Sequence, residues 1–138
     1  MKKKEKTALA LQEELFVRYP QLNCCLKEYE SAFNAMLHCY RTGGKLLVCG
    51  NGGSAADAEH IVGELMKSFL FYRKPDEKFS SSMQEQFGNE GRDLAGKMEG
   101  ALPAIPLTSM PALTSAFAND VDAAVSFAQM TYGYGQKG

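Results

Sequence analysis

The sequence predicts an α/β protein whose strands pair in parallel. Residues 1–44 carry apolar side chains at steps of three and four, which is typical of helices that bury one face. A short apolar run follows at 45–50, and a second apolar segment lies at 103–108 with helical patterns on both sides. The resulting order of helix, helix, strand, helix, strand, helix favours the α/β class.

Residues 1–44 are predicted to form a helical lead-in of two helices. The first spans about 6–19 and ends at Pro20, and the second spans about 21–40 and ends at Gly43-Gly44. The positions predicted to be buried are Leu9, Leu11, Leu15 and Phe16 in the first helix, and Leu22, Leu26, Tyr29, Phe33, Met36, Leu37 and Tyr40 in the second.

The apolar run at 45–50 predicts a strand that is buried on both faces of a parallel sheet. The turn Asn51-Gly52-Gly53 follows it and leads into a helix expected over about 54–69. Ser54 and Asp57 fit the pattern of a capping box, with Asp in place of the usual Glu. We therefore predict that these two side chains begin the helix.

The segment 72–100 differs in character from the rest of the chain. It is polar and contains Ser80-Ser81-Ser82 and several glycines. We predict a mobile insertion outside the core, with short helices near 83–87 and 92–98.

A second parallel strand is predicted at 103–108, with Pro106 at a sheet edge or at the strand end. A short helix over 110–118 is expected next. Asn119-Asp120 is predicted to end it and to cap a last helix over about 121–132. Because two strands do not make a stable parallel sheet, the fold is expected to be incomplete here and finished by residues after Gly138 or by a partner.

Composition and charge argue against several classes of function. We predict a single domain over 1–138, because this length supports one core and not two. A net charge of −1 does not suit nucleic-acid binding. No apolar run approaches the ~20 residues of a membrane helix, and no signal-peptide pattern follows the basic start, so no membrane contact and a cytoplasmic location are expected. The four cysteines are predicted to be reduced thiols that pack as small apolar residues.

The glycine-rich turn after Gly50 is suited to binding an anion. Glycines let backbone N–H groups approach a ligand, and the start of the next helix adds unpaired donors and a positive dipole end. Ser54 adds a hydroxyl. The spacing matches neither a P-loop nor the dinucleotide fingerprint, and a tight strand-to-helix connection explains it equally well.

His60 and Glu64 form a polar pair on the helix that follows. They are four residues apart and share one face, one turn beyond Asp57. An imidazole and a carboxylate in this arrangement can ligate a divalent metal, or the carboxylate can act as a general base. A solvated surface pair fits the same spacing.

Three blocks of sequence resemble the SIS-domain (sugar isomerase) phosphoheptose isomerases. The first is LVCGNGGS at 47–54, and the second is DAEH at 57–60 with GEL at 63–65. The third is AFAND at 116–120, and the helical lead-in also agrees with the family. The resemblance covers most of the chain apart from about 72–100.

This resemblance implies a three-layer, Rossmann-like SIS fold with a parallel sheet. It implies an isomerase that converts sedoheptulose 7-phosphate into a heptose 7-phosphate through an enediol. Members of the family are homotetramers whose sites lie between subunits, so sugar phosphate and further copies of the chain are the expected partners.

The resemblance also implies roles for individual residues. Asn51, Gly52 and Gly53 would line the substrate, and Ser54 would lie close to the phosphate. His60 and Glu64 match two zinc ligands, and Glu64 also matches the catalytic acid/base. The remaining substrate contacts are expected from Asn119 and Asp120.

Two departures from the family pattern keep alternatives open. The phosphate loop of the family and its C-terminal Gln and His do not occur before Gly138. The basic residue expected soon after Glu64 has no clear equivalent, with Lys67 and Arg73 as the candidates to stand in for it, and the long segment 72–100 replaces a short connection in the family. The alternative function is a non-catalytic SIS module that binds a phosphosugar for regulation, or a protein-binding scaffold of the same fold.

Overall fold

The structure is a computed structural model and describes residues 7–136. Lys6, the predicted start of the first helix, lies outside this range. The described elements are α1 (Ala8–Arg18), a 3-10 helix (Pro20–Cys25), α2 (Leu26–Arg41), β1 (Leu46–Val48), α3 (Gly53–Met66), α4 (Glu77–Ala95), β2 (Ala104–Pro106), α5 (Pro111–Asp120), a short 3-10 turn (Ala123–Val125) and α6 (Ser126–Tyr134).

The predicted parallel pairing of the two strands is confirmed. β1 and β2 form a two-stranded sheet in which Leu47 is opposite Ile105. The N–H of Leu107 donates to the carbonyl of Val48 at 2.8 Å, just past Pro106. Pro106 therefore ends the strand, as predicted, because it has no N–H to offer the sheet.

The prediction that β1 is buried on both faces is wrong. All of its residues are half-buried. Within residues 7–136, β2 is the one strand that pairs with it. A strand with one such neighbour has a second edge that is not covered by another strand of the described chain.

The helical lead-in is confirmed in outline and corrected in detail. Thr7 caps α1 by accepting a hydrogen bond from the N–H of Ala10. The second helix begins with a 3-10 segment at Pro20, because proline suits the first position of a helix, and becomes α-helical only at Leu26.

Burial in the lead-in is lower than predicted. Phe16 packs edge-to-face on Tyr29 with ring centroids 5.4 Å apart, and this contact joins α1 to α2. Leu9 is 64% exposed and Leu11 is also exposed, so the predicted burial of both is wrong. None of the α2 positions predicted to be buried is fully buried.

The core lies between α3 and the sheet. Ala58 and Val62 of α3 are buried, as are Ala104 and Leu107 around β2. Met130 of α6 and Ala95 of α4 are buried as well. The core thus fixes the helix that carries His60 and Glu64 against the strands.

The segment 72–100 contains α4, which consists of two helical halves that meet at a kink at Gly88, where the backbone is not helical. Two helices were predicted, near 83–87 and 92–98; the structure has two helical halves, but within Glu77–Ala95 and with the break at Gly88. Gly91 lies so close to the first half that an added Cβ would clash with the backbone of Met83. The halves therefore fold against each other, which local periodicity did not indicate.

The predicted boundary at Asn119-Asp120 is also wrong. Both residues belong to the last turn of α5, and Asp122 begins the next element by accepting a hydrogen bond from the N–H of Ala124 at 2.8 Å. A carboxylate two residues from the donor satisfies this N–H, which leaves Asp120 free to remain helical.

The cysteines are free thiols, as predicted, but their packing is not as predicted. Cys24, Cys25 and Cys49 are exposed, and Cys39 is half-buried. The Sγ atoms of Cys24 and Cys25 hydrogen-bond to carbonyls three residues earlier, which holds them at the surface of the 3-10 helix.

Candidate functional site

The turn between β1 and α3 has a geometry that only glycine permits at two positions. A Cβ on Gly50 would lie 2.4 Å from the carbonyl oxygen of Ser54. Gly52 has φ 58 and ψ −125, a region that other residues enter only with strain. The chain therefore reverses tightly at the carboxyl end of β1, where parallel α/β proteins bind ligands.

The start of α3 is formed by backbone groups and not by the predicted capping box. Gly52 is the N-cap, and no side chain within residues 7–136 caps this end. The N–H groups of Ser54 and Ala55 instead donate to the carbonyls of Asn51 and Gly52 at 3.1 Å. Because Gly52 is the N-cap, the helix begins at Gly53, one residue before Ser54. Ser54 already lies inside the helix, so its side chain cannot act as the cap.

This uncapped helix start is available to an anion. Asn51, Gly52, Gly53 and Ser54 are all exposed. The N–H groups of Ser54 and Ala55 already donate within the turn, so the donors left for an anion are earlier backbone N–H groups such as that of Gly53, and the helix dipole adds a positive end. A Cβ on Gly52 or Gly53 would meet nothing within 4 Å, so space for a ligand adjoins both backbones.

His60 and Glu64 are adjacent on α3, as their spacing predicts. Nε2 of His60 lies 3.6 Å from Oε1 of Glu64, and their side chains are 77% and 42% exposed. Neither group is buried in an apolar pocket. Their shared face is open to a ligand or to another protein surface.

His60 and Glu64 are side chains of the kinds that ligate zinc. Zinc takes three or four protein ligands, usually nitrogen, sulfur and carboxylate oxygen. Within residues 7–136, no group of three or more His, Cys, Asp and Glu side chains is placed to hold a metal ion. A zinc site that used His60 and Glu64 would therefore need further ligands from outside the described residues.

Asn119 and Asp120 bond to each other. They are exposed in the last turn of α5, and Nδ2 of Asn119 donates to Oδ1 of Asp120 at 2.6 Å. Among the described residues, no hydrogen bond joins either of them to Asn51–Ser54. Their predicted role in binding substrate stays a prediction.

Sequence reasoning did not identify a second polar group at the carboxyl edge of the sheet. The hydroxyl of Ser109, just after β2, donates to Oε1 of Glu59 at 2.8 Å. Thr108 lies at 3.5 Å from the same oxygen. The available signal was the polar Thr-Ser pair directly after a predicted strand, since such positions meet at one edge of a parallel sheet.

The C-terminal end of α3 is held by residues from the segment 72–100. Nη2 of Arg73 donates to the carbonyl of Leu65 at 2.7 Å, and its Nε donates to the carbonyl of Gly100 at 2.6 Å. Both the N–H and the hydroxyl of Ser68 donate to Oε2 of Glu99. The Ser68 hydroxyl is the main reason that the pKa of Glu99 is lowered.

Glu64 borders an open cavity of about 330 Å³ next to this segment. Its other lining residues are Phe69, Leu70, Phe71 and Arg73. The carboxylate thus has an apolar wall on one side, formed by the loop that follows α3.

The parallel strands, the glycine turn and the His–Glu helix define an α/β protein with a glycine-built turn at the carboxyl end of its first strand. The family model described as the SIS domain matches residues 26–100, which is more than half of the chain. The chain therefore belongs to the SIS domain family, and the predicted α/β SIS-type fold is confirmed. The match extends through the segment 72–100.

Several curated relatives are phosphoheptose isomerases. The one from Desulfovibrio desulfuricans is 35% identical over 100 residues, covering 72% of this chain and 35% of the relative. The one from Crocosphaera subtropica is 33% identical over 130 residues, covering 86% of this chain and 51% of the relative. The chain thus spans about a third to a half of the length of these relatives.

One solved structure also matches. It is a phosphoheptose isomerase from Neisseria gonorrhoeae, with 25% identity, a TM-score of 0.49, and coverage of 91% of this chain and 55% of that chain.

Within residues 7–136, no helix is both long enough and apolar enough to cross a membrane.

Proposed function

We propose that this chain is part of a phosphosugar isomerase that interconverts sedoheptulose 7-phosphate, or a similar sugar phosphate, with its aldose. The observation that carries the proposal is the uncapped, glycine-built helix start at Gly52, followed on the same helix by the pair His60 and Glu64. Membership of the SIS domain family and similarity to curated phosphoheptose isomerases support it.

In this proposal the turn orients the sugar phosphate. The backbone of Asn51, Gly52 and Gly53 lines the ligand, and the N–H groups at the start of α3 face its negative charge. Ser54 adds a hydroxyl near the phosphate. Asn119 and Asp120 bind sugar hydroxyls, which requires a ligand or a second subunit that bridges α5 and the turn.

Glu64 carries the proton in the proposed reaction. Its carboxylate takes the proton from C1 of the open-chain ketose, and the electron pair forms the C1–C2 double bond while the C2 carbonyl oxygen becomes an enediolate oxyanion. The O1 hydroxyl proton then moves to the O2 oxyanion, Glu64 returns its proton to C2, and C1 becomes the aldehyde while C2 keeps a hydroxyl. His60 and Glu64 would also hold zinc, which when bound polarises the carbonyl.

A homo-oligomer is also part of the proposal. Glu64 lies eleven residues after Gly53, so about 16 Å of helix axis separates them. The Glu64 side chain, which leans towards the start of the helix, and an extended heptose phosphate together span this distance, so one copy of α3 can serve one ligand. Similarity to phosphoheptose isomerases supports including an assembly of the homotetrameric kind, in the cytoplasm, in which the groups that complete the site come from other residues or other copies.

The first test is turnover of sedoheptulose 7-phosphate by the protein at its full natural length, with and without zinc. Glu64→Gln keeps the shape of the side chain and removes the base, so we expect kcat to fall about 10²–10⁴-fold. Glu59→Gln is the matched control on the same helix, because an amide oxygen still accepts from Ser109, and it is expected to retain activity. Equal turnover by the Glu64 variant would contradict the role of Glu64.

Absence of turnover in well-folded wild type, together with retained sugar phosphate binding, would favour the regulatory module instead. The oligomer has its own test. Light scattering of the protein at its full natural length is expected to give the mass of a tetramer, and the mass of a monomer would argue against sites between subunits.

A further inference from the structure

The end of α3 has an unusual set of partners. The last carbonyls of an α-helix have no intrahelical donors and need others. The carbonyl of Leu65, the residue next to Glu64, receives the guanidinium of Arg73 at 2.7 Å and the N–H of Leu102 at 2.9 Å. Both donors come from beyond the helix, so the position of this turn depends on the segment that follows.

Arg73 is itself fixed by a reciprocal pair of hydrogen bonds. Its Nε donates to the carbonyl of Gly100 at 2.6 Å, and the N–H of Gly100 donates to the carbonyl of Arg73 at 2.7 Å. We call the set Ser68, Arg73, Glu99 and Gly100 the neck, because it closes the two ends of the segment 73–100.

The neck also anchors the apolar wall beside Glu64. The loop 69–72 is attached before Phe69 by Ser68, which donates to Glu99. It is attached at its other end by Tyr72, whose hydroxyl donates to the carbonyl of Met98 at 3.2 Å. Glu64 and the wall that borders its cavity are therefore held by the same short stretch, 98–100.

We propose that Arg73 is a positioning residue for Glu64, acting through the Leu65 carbonyl and the neck; this inference rests on the proposed function of Glu64. Nε and Nη2 of Arg73 are engaged by carbonyl groups, so the role assigned to it is to hold the backbone and not to contact the reacting atoms. It holds the last turn of α3 and the loop 69–72 in register, so that the Glu64 carboxylate meets the sugar carbon at one fixed place. Displacements of about 1 Å at such a carboxylate cost about 10²-fold in rate.

The arrangement requires arginine specifically. A guanidinium presents several donors in a planar fork and can serve two carbonyls in different directions at once. The single ammonium of lysine is a point donor on a flexible stem. Arg73→Lys therefore keeps the charge and loses the simultaneous contacts.

The test compares the protein at its full natural length with Arg73→Lys, Arg73→Met and a matched control, Arg92→Met. Arg92 lies in the same segment, is exposed, and is paired with Asp93 outside the neck. With sedoheptulose 7-phosphate and at a temperature where every variant is folded, we expect kcat to fall about 10- to 100-fold in Arg73→Met. The kcat of Arg73→Lys should lie between those of Arg73→Met and wild type, and the KM of both variants should stay within about threefold of wild type. The kcat and KM of Arg92→Met should match those of wild type.

A second readout does not depend on activity. Amide hydrogen exchange at Leu65–Ser68 is expected to accelerate in Arg73→Met and not in Arg92→Met. If Arg73→Met keeps the kcat of wild type, the proposal is overturned even when amide exchange is faster, because Arg73 would then stabilise the backbone without positioning Glu64. Unchanged exchange would overturn it as well. An inactive wild type whose exchange responds as expected would instead count against the proposed isomerase function.

Discussion

Two regions of this chain are built on a glycine with nearly the same backbone conformation, yet they depend on different ranges of sequence. Gly52 has φ 58 and ψ −125 at the turn before α3, and Gly88 has φ 60 and ψ −137 at the kink of α4. The turn is closed locally, since Gly50 approaches Ser54 four residues later. The segment 73–100 is closed by contacts such as Ser68 with Glu99, 31 residues apart. The comparison shows that a turn stabilised by contacts between neighbouring residues can be recognised in a sequence. A segment held by contacts between residues far apart in the chain cannot.

The largest expected effect is that of Gly50→Ala on the turn. The new Cβ would meet the Ser54 backbone at 2.4 Å, where no flexible side chain can move aside. We expect a loss of about 3 kcal/mol in the free energy of unfolding, by analogy with overpacking. Urea denaturation measures it. Gly53→Ala is the control with nothing within 4 Å of its Cβ, and similar stability of both variants would contradict the close approach at Gly50.

An intermediate effect is expected when the two matching glycines are replaced. Gly52→Ala and Gly88→Ala each force a side chain into the same strained backbone region, at a cost of about 1–3 kcal/mol. Thermal unfolding should therefore show comparable shifts for both. Binding of sugar phosphate, measured by calorimetry, should weaken only in Gly52→Ala. If both variants lose binding equally, the turn has no special part in recognition.

The smallest expected effect is a pH dependence of the free energy of unfolding, caused by Glu99 in the neck. The hydrogen bond from the Ser68 hydroxyl lowers the pKa of Glu99 below its ordinary 4.5. A lowered folded-state pKa contributes stability that is present above pH 4.5 and is lost as the pH falls through the folded-state value. The stability difference between wild type and Glu99→Gln should therefore shrink as the pH is lowered from 6 to 3. A difference that stays constant over this range would show that the charge of Glu99 plays no part.

Features that depend on a few neighbouring residues were predictable from the sequence. The order of elements, the parallel pairing of β1 with β2, the glycine turn and the closeness of His60 to Glu64 all follow from short-range patterns. These patterns reflect local sterics and periodicity, which act whatever the rest of the chain does.

Features set by distant partners were not predictable in the same way. Arg73 caps α3 through a carbonyl eight residues earlier in the chain, and no spacing rule indicates this contact. Leu9 fits a helix that buries one face but stays exposed, since periodicity does not say which neighbour will be there to cover it. The start of α3 was mispredicted because Gly52 entered a conformation that made the Ser54 side chain unnecessary as a cap.

The most direct test of the central claim, that the turn after β1 contacts the sugar phosphate, is an NMR titration. Sedoheptulose 7-phosphate would be added to the ¹⁵N-labelled protein at its full natural length while the backbone amide resonances are followed. The account predicts that the largest saturable shifts include the amides of Gly52, Gly53 and Ser54. Saturable shifts elsewhere, with these three amides unmoved, would contradict it.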